Sequence, residues 1–200
     1  MIKSRKLHKI TGLILVLPML AWTITGLIFF IKPGYQGAYE QLSIKTYPLS
    51  ASLVVTPKKE WREVRLIHSI LGEHLLVKLD NKTVHLDPVS LAVKATPSEQ
   101  ELKKLLRDAF SRNSERYGDI LSVNGLAVKT TTNVAVTLDW NTLRLSQSGQ
   151  DTQLINQLYK IHYLQWSGQK TVDQFLGIFG LILLISLTLL GIRLYVKQRA

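Results

Sequence analysis

Two uncharged apolar runs bracket this chain, and each carries lysine and arginine on its outer flank. The first covers residues 10–31, 22 positions between Lys9 and Lys32; the second covers residues 174–192, 19 positions between Asp173 and Arg193. At about 1.5 Å of rise per residue, either run is long enough as a helix to cross a hydrocarbon core of roughly 30 Å. The spacing predicts a membrane hairpin with some 140 residues hung between its legs.

Charge supplies an orientation. Lys3, Arg5, Lys6 and Lys9 precede the first run, and Arg193, Lys197 and Arg199 follow the second. All 14 acidic residues lie between the runs, against 18 basic ones, so the formal charge of +11 sits mostly in the two tails. Basic tails of this kind stay in the cytoplasm, which places both tails there and residues 32–173 outside. The charge is read as a topology signal beside anionic lipid and excludes nucleic acid as a partner. The first run is longer than a signal-peptide core, and no small-x-small pattern follows it, so it is expected to remain as an anchor. Cysteine is absent, which excludes thiol catalysis and thiolate metal sites.

Between the runs the expected order is as follows. Residues 1–9 form a cytoplasmic tail, 10–31 the first span, and 32–56 a connector with Pro33, Gly34, Gly37 and Pro48 breaking periodicity. A soluble α+β domain fills 57–150. Thr56 and Pro57 read as the start of a helix reaching Leu71, with Val64, Ile67 and Leu71 on one stripe. Strands are expected at 75–79, 83–86 and 91–95. Ser98 and Glu101 form a capping box for a helix running to about Arg112. Further strands are expected at 120–123, 126–130, 134–138 and 142–145, with Asn124-Gly125 as a hairpin turn. Residues 151–170 read as an amphipathic helix that lies along the membrane face or packs on the soluble domain. Thr171 and Gln174 cap the second span, 171–192, and 193–200 is the second cytoplasmic tail.

The central region repeats. Leu75-Leu76-Val77-Lys78 resembles Leu126-Ala127-Val128-Lys129. The stretch from Val84 to Leu91 resembles that from Val136 to Leu143, with Asp87 and Asp139 opening a turn in each. The offsets are 51 and 52 residues, which points to two copies of one unit, 57–95 and 98–146.

Arg5-Lys6-Leu7-His8-Lys9-Ile10-Thr11-Gly12-Leu13, Trp22-Thr23-Ile24-Thr25-Gly26-Leu27, Leu158-Tyr159-Lys160-Ile161-His162 and the spacing of Gly177, Gly180 and Gly191 resemble PepSY-associated transmembrane proteins. The intervening units resemble PepSY domains, with Leu86-Asp87-Pro88 and Leu138-Asp139 at the strand-to-turn position. The resemblance implies a bacterial inner-membrane protein with two transmembrane helices. They would bracket a periplasmic α+β domain of one or two PepSY-like helix-plus-antiparallel-meander units. It implies a binding or regulatory module acting on a membrane or periplasmic protein, or on a second copy. Larger relatives resemble ferrisiderophore reductases that hold b-type haem through span histidines. This chain has two spans where they have four.

No G-x-S-x-G, H-E-x-x-H, G-x-G-x-x-G or P-loop pattern occurs, so no catalytic residue and no metal site is assigned. His8 and His162 are the candidate haem b ligands, but they fall at opposite ends of the hairpin, about 30 Å apart. One haem cannot use both; pairing across an oligomer, His8 with His8 or His162 with His162, satisfies bis-histidine ligation. His68, His74 and His85 read as surface histidines, and Asp87 and Asp139 as turn formers.

Overall fold

The computed structural model describes residues 2–49 and 55–199 and divides into two compact units. The first joins residues 1–35 to residues 153–200; the second is residues 36–152.

In the first unit, α1 (Ile2–Ile31) and α6 (Lys170–Arg199) are single 30-residue helices. Pro18 sits inside α1 without ending it. Both are long and apolar enough to cross a membrane. Only 11% and 6% of their most apolar windows are buried by protein, unlike the core helices of a globular domain. The helices run antiparallel, and small residues mark their contact. A side chain at Gly12 would meet Leu187 at 3.7 Å, and one at Gly191 would meet His8 at 3.5 Å. Gly180 faces Trp22 at 3.6 Å and Leu164 at 3.1 Å, whereas Gly26 faces open space. Close backbone approach through glycine is the usual device where lipid supplies no hydrophobic drive between helices.

Helix α5 (Gln150–His162) is shorter than the amphipathic helix expected over 151–170. It ends at His162 and docks its last turn on α1, with Phe29 stacked on Tyr159 at 4.5 Å and edge-on to His162 at 5.2 Å. Gln165 N–H bonds back to Lys160 O at 2.8 Å and Leu164 N–H to Ile161 O at 3.2 Å, a Schellman stop. Leu164 occupies the left-handed position usually given to glycine (φ 55°) and is buried against Gly180. The start of α6 is also not the expected Thr171–Gln174 box. The Asp173 carboxylate accepts from Ser167 N–H and Oγ at 2.9 and 2.7 Å.

The second unit contains two antiparallel meanders and a short helical segment at its entry, α2 (Tyr35–Ala38), which begins in the first unit. The first meander is β1 (Glu63–Ser69), β2 (Gly72–Lys78) and β3 (Thr83–Leu86), in the order β1-β2-β3. Then come α3 (Glu99–Phe110) and α4 (Ser114–Tyr117). The second meander is β4 (Ile120–Asn124), β5 (Ala127–Thr130), β6 (Ala135–Asp139) and β7 (Arg144–Ser148), in that order. The Ser98–Glu101 capping box forms as expected.

The helix expected over 57–71 is strand β1 instead. Val64, Leu66 and Ile67 suit a pleated surface, and two-residue reversal at Ile70-Leu71, with Gly72 at φ 97°, pairs the segment fully with β2. Val64, Ile67 and Leu71 fit helical spacing, but cross-strand pairing decides the outcome. The strand expected at 91–95 shrinks to one bridge, Leu86 to Val93. One core serves both meanders. Leu76, Ile67 and Leu71 from the first meet Leu102, Leu105 and Leu106 of α3 and Val128, Val136 and Leu138 of the second. A smaller cluster of Leu75, Val77 and Leu86 lies on the other face of the first sheet.

Part of the expected connector belongs to this core. Leu42 and Ile44 are buried while Ser43 is exposed. This strap bridges β7 at Ser43–Arg144, and Tyr47 N–H donates to His68 O on β1 at 2.8 Å.

Candidate functional site

The strap, the end of β7 and β1 enclose an open groove of about 860 Å³ in the second unit. Arg65 from β1, Arg112 just after α3 and Arg144 from β7 line it. All three are exposed. Arg112 Nη1 donates to Ser43 Oγ at 2.9 Å; the side chains of Arg65 and Arg144 have no hydrogen bond or ion pair among the described residues. Arg65 and Arg144 also line an adjoining cleft of about 200 Å³ with Glu63 and Lys78, which face each other across β1 and β2. A carboxylate, Glu40, also lines the main groove but is engaged by other side chains. It accepts from Asn113 Nδ2 at 2.8 Å and lies 3.9 Å from Arg116 Nε. The groove thus concentrates positive charge whose natural complement is a carboxylate or another anion.

These arginines were not singled out from the sequence. They lie 47 and 32 residues apart, in separate parts of the chain, so no local motif announces them. One visible signal was the alternation of Leu42, Ser43 and Ile44, which marks the strap as a half-buried strand.

His74 and His85 are fully buried, correcting their reading as surface histidines. Their hydrogen bonds have one consistent direction when both rings are neutral. Trp140 O only accepts, so His85 Nδ1 carries its proton and donates at 2.8 Å. His85 Nε2 must then accept from His74 Nδ1 at 2.9 Å, leaving His74 Nε2 to accept from Ser69 Oγ at 2.6 Å. Ser69 Oγ accepts in turn from Leu71 N–H at 3.0 Å. Burial, followed by the charge on Lys94, pushes the His74 pKa down to about 3, and burial also lowers that of His85. Every ring nitrogen is used within the fold, so the pair is a structural tie between the two meanders. Among the described residues no group of three or more metal-ligating side chains forms.

His8 and His162 lie apart, both half-buried, in the first unit. His8 Nδ1 is buried beside Gly191 without a hydrogen-bond partner among the described residues. His162 Nδ1 lies 2.8 Å from Thr25 Oγ1, whose own proton goes to Ala21 O at 2.6 Å. Thr25 therefore accepts, His162 holds its proton on Nδ1, and Nε2 has no partner among the described residues. Trp22 Nε1 donates to His162 O at 2.6 Å and fixes the turn. His8 and Thr25 are 17 residues apart on α1, about 26 Å. An apolar cavity of about 330 Å³ opens beside His162, lined by Trp22, Leu164, Gly177 and Leu181 among others.

Comparison with known proteins gives no further guide: no protein family, no curated protein and no solved structure matches this chain.

Proposed function

We propose that the protein is a membrane-tethered binding module, anchored by α1 and α6 in a bacterial inner membrane, that engages a protein partner through residues 36–152. The observation that carries this reading is the independence of the two parts. Both hydrophobic clusters of the second unit draw only on residues within 36–152, so it completes its own core. The apolar faces of α1 and α6 are left uncovered by protein, as lipid-facing helices are. A folded domain on such anchors acts by being held where its partner is. The basic tails support a cytoplasmic position for both ends and a periplasmic one for the domain, and the PepSY resemblance supports a regulatory role.

The test is site-specific photo-cross-linking of the full chain in its native membrane. A cross-linker at Ser43 or Thr142 is expected to yield one discrete protein adduct. Adducts only from positions on α1 or α6, such as Leu13 or Phe179, would reject this reading in favour of a span-mediated complex.

The geometry of His162 favours a second reading, haem b shared between copies. A Nδ1–H held by Thr25, with Nε2 unpartnered, is how an axial imidazole is prepared. The fit is to one ligand only: the 330 Å³ cavity does not enclose a macrocycle, and His8, the other imidazole of the first unit, lies at the far end of α1. A second ligand would come from His162 of another copy, and likewise for His8. Haem bound there would supply one-electron transfer, with Thr25 holding the ring. A reduced b-type absorption band lost in His162→Ala would support this reading; a colourless preparation from haem-replete cells would reject it.

A further inference from the structure

We infer that the groove between β1 and β7 receives an extended, acidic stretch of a partner polypeptide, its carboxylates paired with Arg65, Arg112 and Arg144. This deepens the tethered-module reading and rests on it.

Three observations converge. The first is charge. Arg65, Arg112 and Arg144 come from separate parts of the chain to line one groove; Glu40, which also lines it, is engaged by Asn113 and Arg116, and Glu63, in the adjoining cleft, stands opposite Lys78 across β1 and β2. Like charges gathered without counter-charge repel, and the guanidinium fork matches a carboxylate in two parallel hydrogen bonds. The second is size. About 860 Å³ is near the upper end of ligand-sized clefts, and the adjoining cleft shares Arg65, Thr142 and Arg144, so the charged surface extends beyond what one small anion covers.

The third is the backbone. In the β1–β2 hairpin, Ser69 and Gly72 close the two-residue turn, so alternate residues of β1 turn their amide groups away from β2. His68 is one of these, and its carbonyl takes the N–H of Tyr47 from the strap. Leu66 and Val64 follow on the same outer side, and no backbone group among the described residues pairs with them there. Among the described residues, the strap that lines the groove thus ends beside a strand edge whose outer groups at Leu66 and Val64 are unpaired. An extended peptide laid beside it gains main-chain hydrogen bonds there while its alternate side chains meet the arginines.

The experiment uses the full-length protein in mild detergent and a fluorescent decapeptide of alternating glutamate and valine. Glutamine–valine and lysine–valine versions serve as comparisons. Anisotropy is expected to rise for the acidic peptide alone. Affinity should drop roughly tenfold or more in Arg65→Gln/Arg144→Gln, the loss expected for charge-assisted hydrogen bonds. It should be only partly kept in Arg65→Lys/Arg144→Lys, which retains the charge but not the fork, and unchanged in Arg62→Gln, whose partner is Asp80 outside the groove. Equal binding of all three peptides, or acidic binding that survives the double glutamine variant, would overturn the inference. Displacement of the peptide by equimolar inorganic phosphate would also overturn it, in favour of a small-anion site. If the double variant does not fold, Arg144→Gln alone carries the same test. A photo-cross-linked partner retained by the glutamine variant rejects the groove but leaves the tethered module standing. Absence of any partner in the unmodified protein removes both.

Discussion

Asp87 and Asp139 stand at the same point of two copies of one turn. Asp87 Oδ1 accepts from the N–H groups of Val89 and Ser90 and from Ser90 Oγ. Asp139 accepts from the N–H groups of Asn141 and Thr142 and from Thr142 Oγ1. Each turn ends in a leucine held left-handed, Leu91 at φ 56° and Leu143 at φ 51°. The likeness runs on: the single Leu86–Val93 bridge is the counterpart of the Leu138–Leu145 pair between β6 and β7. The two meanders share this turn, with the strand after it full in the second and reduced to one bridge in the first.

Both aspartates should therefore matter in the same way. Asp139→Ala is expected to cost about 1–2 kcal/mol, the net worth of the lost turn hydrogen bonds. Asp87→Ala should lower the melting temperature in the same direction. Asp119→Ala, whose carboxylate has no partner among the described residues, should leave it nearly unchanged. Thermal unfolding followed by circular dichroism in detergent checks the ranking, and an Asp119 effect as large as that of Asp139 would contradict it.

The His74–His85 tie predicts an acid-sensitive domain. His74 is kept neutral in the fold, with a pKa of about 3, whereas an unfolded histidine titrates near about 6.5. Between those values the unfolded chain binds more protons, so stability falls as pH falls. The contribution is complete above about pH 6.5 and is lost progressively toward about 3. Urea unfolding across that window should show the decline, and a His74→Leu/His85→Phe variant should flatten it. His85→Ala alone should cost about 3 kcal/mol at neutral pH, because it opens a cavity and strands a buried imidazole N–H. A pH slope that persists in the double variant would assign the effect to other groups.

Arg116 predicts a second pH limb. It donates from Nη1 to Asp151 Oδ2 at 2.7 Å and from Nη2 to Gln147 Oε1 at 2.7 Å. Gln147 Nε2 in turn donates to the carbonyls of Gly37, Ala38 and Glu40. Both chain entries to the domain are thereby tied to one guanidinium. The hydrogen bond from Arg116 holds the Asp151 carboxyl below its usual range. Its contribution is present above the unfolded carboxylate pKa and is lost as pH falls through the lower folded value. Arg116→Ala should cost about 2–3 kcal/mol at pH 7 and remove this limb. Melting curves from pH 7 to 3 separate it from the histidine effect, which begins at higher pH.

In the helical hairpin, glycines of similar appearance should behave differently. Gly180 lies against Leu164 and Trp22, so Gly180→Leu should displace the α5 docking turn and break the Trp22–His162 hydrogen bond. Gly26→Leu meets open space and should be tolerated. Tryptophan fluorescence in detergent reports the difference: a red-shifted, less stable Gly180→Leu against an unchanged Gly26→Leu. Equal behaviour would remove the packing account.

The apolar runs, the tail charges, the Ser98–Glu101 box and the two aspartate turns were legible in the sequence because each is a local pattern with a local physical cause. Hydrophobic length fixes α1 and α6, and hydrogen bonds within three residues fix the cap and the aspartate turns. Tertiary structure alone decided the rest. Residues around 63–69 carry apolar side chains at spacings compatible with helix or strand, and only pairing with β2 made them β1. His74 and His85 look like surface residues until Trp140, 55 positions beyond His85, brings a carbonyl to the end of their chain. Arg65, Arg112 and Arg144 share a groove only because the strap and two meanders fold about one core. Local free energy is written in neighbouring residues; long-range pairing is decided by which distant surfaces can bury one another, and a single chain read in order does not contain that comparison.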